Sequence, residues 1–254
     1  MKKTIITIIF LLSISYVFTQ ESERNNASFS LGDGISFSFN EGDYEFNIYG
    51  FIKPTYIYND EKIYSDDGEY SNVFRQFKSQ NSNLFFTGFA KDEKLSFTIQ
   101  MDYSSSNPLV EAFIGYHFNE KTSLYFGQMQ VNHNNLEMTH NEDRLRFTNR
   151  GILSRTYSVD GEEFGIFFET SFGKSIIIKP TFAVTSGDGK NSFGDDSRDS
   201  DKGGVKFGSR INILPFGDFS IGNRLSTIDL IGEEKPKVQI GFAYSKNMGA
   251  SNQV

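Results

Sequence analysis

The sequence contains no cysteine, so disulfides, thiolate metal sites, a cysteine nucleophile and a lipidated N-terminal cysteine are all excluded. Cationic residues are the minority: 25 Lys and Arg stand against 32 Asp and Glu, a formal charge of −7. That balance argues against an extended basic surface for nucleic acid. No glycine-rich loop opens a helix to cradle a phosphate, and no convincing amphipathic helix follows the N-terminal segment. The mean hydropathy is polar, but this does not exclude a membrane barrel, because only alternate residues of its strands meet lipid.

Aromatic residues are plentiful, with 27 Phe and 12 Tyr, which excludes a chain disordered throughout. A length of 254 residues suits one large β domain or about two ordinary domains. The opening "MKKTIITIIFLLSISYVFTQ" places Lys2 and Lys3 before an apolar run from Ile5 to Phe18. This has the form of a secretory signal peptide, and the run is short for a transmembrane span. The expected division is a signal peptide at 1–19, a polar linker at 20–33 and a β-barrel domain at 34–254. A retained N-terminal anchor is the alternative. Removal of the leader leaves 23 basic and 32 acidic residues.

From residue 44 onward apolar and polar residues alternate in one segment after another. In "KLSFTIQMDY" (94–103), Leu95, Phe97, Ile99, Met101 and Tyr103 share one face, and Ser96, Thr98, Gln100 and Asp102 the other. The same period of two runs through 44–58, 109–118, 164–172, 176–184, 205–211 and 238–244. Tight turns are expected at 90–94, 119–121, 172–174 and 215–218. Longer loops are expected at 59–72, 104–108, 132–160, 186–203 and 227–236. This leaves ten strands between Tyr44 and Lys246, and a short one at 34–40. Short turns alternating with long loops, between strands of about ten residues, are the layout of an outer-membrane barrel. The expected fold class is therefore all-β: an antiparallel transmembrane β-barrel of the outer-membrane porin type, with about ten strands present of an expected larger barrel. A secreted β-sandwich or β-helix is the alternative.

In that barrel the polar face lines the lumen. It carries Glu45, Lys53, Asp102, Glu111, Glu163, Glu169, Lys179, Lys206, Arg210 and Lys237, five acidic and five basic groups. On a soluble sheet the same groups are an ordinary solvated face. Loop 132–160 is expected to fold inward as a constriction, bringing Arg144, Arg146, Arg150 and Arg155 into the pore with no acidic residue between 145 and 159. Loop 59–72, with Asp60, Glu61, Asp66, Asp67 and Glu69 against Lys62, makes an acidic vestibule.

The stretch "VEAFIGYHFNEKTSLYFGQMQV", then "NNLEMTHNEDRLRFTNR" and "DGEEFGIFFE", resembles the phosphate-selective porin O and P family. The resemblance rests on Glu111-Ala112, Gly127-Gln128, the aromatic-to-arginine stretch Phe147 to Arg150, and Gly165. "GDGISFSFNEGDYEFNIYGFIKP" and "KPKVQIGFAYSKN" are similar to that family's opening strand and a later barrel strand. The resemblance implies about sixteen strands, an inward loop, an outer-membrane location and a homotrimer among the assemblies. Its partners are outer-membrane lipid and small solutes or anions, with phosphate among them, and not nucleic acid. Two departures stand out. The chain ends "YSKNMGASNQV" rather than on an aromatic strand, so it is expected to be the N-terminal two-thirds of a barrel. It also has no lysine between Lys121 and Lys174, so a tight phosphate site is not expected.

Enzymatic chemistry finds no support in the residues. His133 and His140 lie seven apart, too far for an ordinary zinc pair, and His117 falls on a polar strand face. Glu163 and Glu169 are six apart, roughly 20 Å along a strand, too far for one acid/base pair. The acidic stretch around Asp195, Asp196, Asp199 and Asp201 fails the EF-hand register, since Asp199 as first ligand places Arg210 twelfth. No cofactor, metal or catalytic residue is expected. A non-conducting exported envelope or surface β-protein is the alternative to a channel.

Overall fold

The computed structural model describes residues 25–65, 68–90, 92–140, 142–147, 149–158, 161–187, 189–190 and 204–249. The described chain is all-β and antiparallel. Its strands are β1 (Asn26–Ser30), β2 (Gly34–Phe39), β3 (Tyr44–Gly50), β4 (Pro54–Ser65), β5 (Gly68–Ser79), β6 (Asn83–Ala90) and β7 (Leu95–Asp102). They continue as β8 (Leu109–Asn119), β9 (Thr122–Gln130), β10 (Glu162–Thr170), β11 (Phe172–Gly173), β12 (Ile177–Thr185), β13 (Val205–Leu214) and β14 (Ile240–Met248). One short helix, α1 (Ile152–Thr156), lies in the connection between β9 and β10.

One sheet of 12 strands runs in the order β1-β2-β3-β6-β7-β8-β9-β10-β12-β13-β14, with β11 attached to β12. Among the described residues β1 and β14 each pair on one side only, so these strands do not close into a ring. Residues opposite one another in an antiparallel ladder share a face. The register therefore defines two surfaces across the sheet. One carries Ile99, Ile114, Phe126, Ile166, Phe182, Phe207 and Phe242, and the other carries Thr98, Phe113, Gly127, Gly165, Thr185 and Lys206.

Exposure on these surfaces is inverted relative to a protein folded for water. Ile114 is 62% exposed, Phe182 52% and Phe242 65%, while Glu163 is 0% and Arg210 7% exposed. Among the described residues the buried hydrophobic side chains are only Val131, Phe167, Ala183 and Leu214. Each large apolar side chain left in water forgoes about 1.5–3 kcal/mol of burial. Among the described residues the second sheet is the two-stranded β4-β5, and no sheet covers the apolar face as a sandwich requires, so that face lacks a partner of its own chemistry.

The structure corrects the expected element map in several places. The linker expected at 20–33 contains β1, which pairs with β2 from Asn26↔Ser38 to Ser30↔Gly34. The leader expected at 1–19 lies outside the described residues. The loop expected at 59–72 is mostly ladder. β3 continues into β4 and β5 into β6 as one long hairpin, with Gly50 opposite Leu84 and Pro54 opposite Ser79. Five steps on one side answer four on the other, so a bulge sits near Asn81, whose φ of 48° is left-handed. Ser82 rivets the bulge to the sheet. Its N–H donates to Asp102 Oδ1 at 3.1 Å, and its hydroxyl accepts from Lys53 N at 2.9 Å. Beyond that point β4 and β5, 12 residues each, run past the rim for roughly 40 Å.

The span between the turn expected at 215–218 and the loop expected at 227–236, which the count of ten strands leaves as a strand, forms none, and 215–239 is a single long connection containing one 3-10 turn, Ile221–Asn223. Loop sorting by rim consequently holds in the middle of the sheet and fails at its ends. The short 31–33 turn shares the rim of the long loops, and the long 215–239 connection shares the rim of the short turns.

Gln128 explains part of the Gly127-Gln128 stretch. It lies in register with Ala112 and Phe164 on the apolar face, yet is 0% exposed. The β7–β8 register passes from Gln100↔Glu111 to Met101↔Leu109, leaving Val110 as an extra residue. The Gln128 amide donates to the Val110 carbonyl at 2.9 Å, supplying the partner that the bulge removes.

Candidate functional site

The polar face is covered by the 131–161 connection between β9 and β10. This segment enters over the small buried cluster of Val131, Phe167 and Ala183, against which Tyr125 and Met129 pack. Its anchors to the sheet are polar. Arg210 Nη1 donates to the Asn134 carbonyl at 2.8 Å, and Asn81 Nδ2 donates to Glu142 Oε2 at 3.3 Å, while at the edge of the segment Gln130 N–H of β9 donates to Glu111 Oε1 of β8 at 2.9 Å. The loop that was expected to fold inward thus lies on the polar face.

Its internal structure is fixed by Asn135 and Arg150. Asn135 Oδ1 caps the 3-10 turn Leu136–Thr139 by accepting from Met138 N, and its amide donates to Ser154 O at 3.1 Å and Ser158 Oγ at 2.8 Å. Arg150 donates to Glu142 Oε1 at 2.8 Å, to the His140 carbonyl at 2.9 Å and to the Glu137 carbonyl. All this binds loop to loop, so Arg150 is a clamp and not a group presented to solute.

The 215–239 connection reaches the same loop from the opposite rim. Thr227 N–H donates to the Arg144 carbonyl at 3.1 Å, Ser226 Oγ donates to it at 3.2 Å, and Arg144 Nη1 donates to Gly222 O at 3.3 Å. Arg146 N–H donates to Thr227 Oγ1, while its guanidinium lies 5.7 Å from the Phe147 ring. Arg155 is exposed on α1. The four arginines therefore do not assemble as one cationic ring: two join the clasp between connections, one is internal and one is exposed. The reason is tertiary pairing with backbone carbonyls and Glu142, which spacing along the loop does not encode.

The remaining charges of the polar face are mostly paired. Glu163 accepts from Lys206 Nζ at 2.6 Å and from the Thr185 hydroxyl. Lys179 donates to both Asp218 oxygens at 2.8 and 2.9 Å, and Arg224 adds a 2.9 Å contact to the same carboxylate. Arg210 Nε donates to Asn212 Oδ1 at 2.6 Å. Asp102 orders the 103–108 turn by accepting from Ser104 N at 2.9 Å. The Glu169 carboxylate makes no hydrogen bond among the described residues and has Lys179 as its charged neighbour. Lys53 lies at the base of the long hairpin, Glu45 is exposed near the opposite rim, and Lys237 donates to Phe216 O at 3.0 Å. His117 ties three strands together, 2.7 Å from Ser123 Oγ and 2.9 Å from Ser96 Oγ.

Among the described residues two cavities between sheet and loop stand out. One, of about 170 Å³, lies over β6 to β10, where Asn83, Gln100, Asp102, Glu111 and Glu142 meet. The other, of about 660 Å³, lies over β10, β12 and β13 and is bordered by both connections. Thr139 and His140 border both, so the 3-10 turn and the residue after it stand between the two chambers. Of the residues read along the strands, Asp102 and Glu111 line the smaller cavity and Glu169, Lys179 and Arg210 the larger, while Lys53, Glu163 and Lys206 line neither; Asn132 and the 218–227 segment belong to no periodic stretch and were missed.

His133 sits where the loop meets β13. A Cβ built on Gly208 meets its Nδ1 at 2.3 Å, so only glycine admits this approach. Gly208→Val is expected to push the loop off the polar face. A cysteine placed at Asn149 should then react several-fold faster with a membrane-impermeant reagent, and an unchanged rate rejects the contact.

Burial, then the nearby Lys206 charge, pulls His133 down to about 4. A depressed histidine favours the docked state above its unfolded pKa of about 6.5, and that contribution is lost as pH falls from there toward the folded value. Asp229 and Glu233 act in the same direction. Backbone hydrogen bonds lower both: Glu233 N–H donates to Asp229, and Ser220 N–H donates to Glu233. Their contribution is present above the ordinary carboxylate range and is lost as pH falls through the lowered values. The Asn149 cysteine is thus expected to label faster at pH 5 than at pH 7.5, after correction for thiol ionisation, and His133→Gln should flatten that difference.

Among the described residues no helix is long and apolar enough to cross a membrane, which says nothing about strands. Among them, too, no group of three metal-ligating side chains occurs. The acidic stretch around Asp195 to Asp201 lies outside the described residues. In comparisons with protein-family models and with curated proteins, nothing matched the chain.

Proposed function

We propose that this chain forms the wall of an outer-membrane channel for diffusion of small hydrophilic solutes and anions, with the 131–161 connection as its constriction. The observation that carries this reading is the inverted sheet: apolar residues exposed on one face, charged residues buried on the other. Lipid is the solvent that makes such an exposed face favourable, and a polar lumen needs the opposite face. Barrel closure joins the free edges of β1 and β14, directly or through further strands, because hydrocarbon tolerates no unpaired backbone edge. The porin O and P resemblance supports the same class and extends it to a homotrimer. It does not carry a tight phosphate site, since Arg150 is consumed within the loop and Lys179 and Lys206 are held by carboxylates.

The test uses the full chain with its leader, expressed in a cell with an outer membrane. The channel reading expects a heat-modifiable band in the outer-membrane fraction and ohmic conductance in a planar bilayer. Reversal potentials should show passage of chloride with little block by millimolar phosphate. Strong phosphate block, abolished by Arg144→Ala with Arg146→Ala, indicates a phosphate channel instead. A heat-modifiable membrane band without conductance favours the non-conducting envelope protein, and recovery in the soluble periplasm without detergent rejects both membrane readings.

A further inference from the structure

We infer that the 660 Å³ cavity over β10, β12 and β13 is a binding site for a neutral sugar of one or two rings. The inference rests on the channel reading for its role in transport, but not for binding itself. The volume falls within the range of about 300–1,000 Å³ typical of small-molecule sites. The walls are charged, yet the charges balance and are largely spent. Asp218 holds Lys179 and Arg224, Arg210 is bonded to Asn212 and Asn134, and Glu137 Oε2 accepts from Gly151 N–H at 3.0 Å.

Three groups on the wall, Asn132, Glu169 and Gln239, have no side-chain hydrogen-bond partner among the described residues. Asn132 lines the cavity with both its amide nitrogen and its amide oxygen buried and without a hydrogen-bond partner. Buried amides are almost always satisfied in folded proteins, so this one points to a bound polar group. Glu169, the second, offers carboxylate oxygens without a donor. An amide supplies one donor side and one acceptor side, and a carboxylate supplies acceptors only. Hydroxyl groups, each both donor and acceptor, answer this pair. A small anion meets Glu137 and Glu169, and a small cation meets Arg210, whose partners are uncharged, and the Asp218-bound cations. Leu136, Phe219 and Leu225 provide apolar surface on the same cavity for the C–H faces of a pyranose ring.

Calorimetry on the purified full chain in detergent, titrated with maltose, gluconate and inorganic phosphate, tests this. Maltose is expected to bind at least tenfold more tightly than either anion. Asn132→Ala and Glu169→Gln are each expected to weaken maltose binding about fivefold or more, in line with loss of a hydrogen bond or two. Both variants should retain heat-modifiable migration. Glu169→Gln is nearly isosteric and stands alone if Asn132→Ala does not fold. Equal binding of gluconate or phosphate, absence of maltose binding, or folded variants of unchanged affinity overturns the site. Maltose binding without bilayer conductance leaves the site and removes the channel. Conductance without maltose binding does the reverse.

Discussion

Lysine in place of Ile99 is expected to destabilise the protein in a bilayer by about 2–4 kcal/mol, while lysine at the adjacent Thr98 is expected to change stability little. Ile99 lies between Phe86 and Ala112 on the exposed apolar face, and Thr98 between Thr87 and Phe113 on the opposite one. In water the expectation is the other way round, because a half-exposed isoleucine accepts a charge readily and a partly covered threonine does not. The comparison separates the two solvents with a single strand as its own control. Urea unfolding in lipid vesicles, followed by tyrosine fluorescence and heat-modifiable migration, measures it. Equal tolerance of Ile99→Lys and Thr98→Lys removes lipid as the partner of the apolar face.

The second large effect lies at Glu163 and Lys206. Glu163 is fully buried and the Lys206 side chain is 17% exposed, with 2.6 Å between Oε1 and Nζ. Replacing one member leaves the other charge buried without its partner, a loss of about 3–5 kcal/mol, whereas an apolar pair of similar volume is often neutral. Glu163→Leu is therefore expected to be severely destabilising, and Lys206→Met in the same chain is expected to recover most of the loss. The interaction energy comes from a double-mutant cycle on the unfolding midpoint. Additive losses in the double variant mean that the two charges act separately.

The strand faces were legible in the sequence because a period of two fixes which residues share a surface, and the chain keeps that period for nearly every strand of the sheet. The end of β3 was not. Alternation runs on through Lys53 and Pro54, and periodicity carries no mark of where neighbouring strands stop, so the hairpin beyond the rim read as a loop. The segment 219–226 read as a strand for the converse reason: its apolar residues suit a ladder, but Asn223 Nδ2 donates to Asp229 Oδ1, Leu230 N–H donates to Asn223 Oδ1 and Glu233 N–H donates to Asp229 Oδ2, which holds it in a turn. The arginines of the long loop were visible as a cluster in sequence. Their dispersal depends on Glu142, eight residues from Arg150, and on carbonyls some eighty residues away, and neither distance has a local signature. Asn132 had no signal at all, since one asparagine in a polar loop is unremarkable until its surroundings are known.

The clasp between the two connections also dictates an order of assembly. Each ladder of the sheet joins strands that follow one another along the chain, apart from the detour of the long hairpin, so the sheet can grow by adding one hairpin at a time. The bonds from Arg144 to Gly222, Ser226 and Thr227 span 78 to 83 residues and have no such local route. They form only once β13 is in place and the chain beyond it has turned back. Until then the 131–161 connection has β8 to β10 beneath it but no latch across it. An assembling chain thus passes through a stage in which the wall is mostly built and its inner segment is still unfastened, and a chain interrupted before residue 220 stays there.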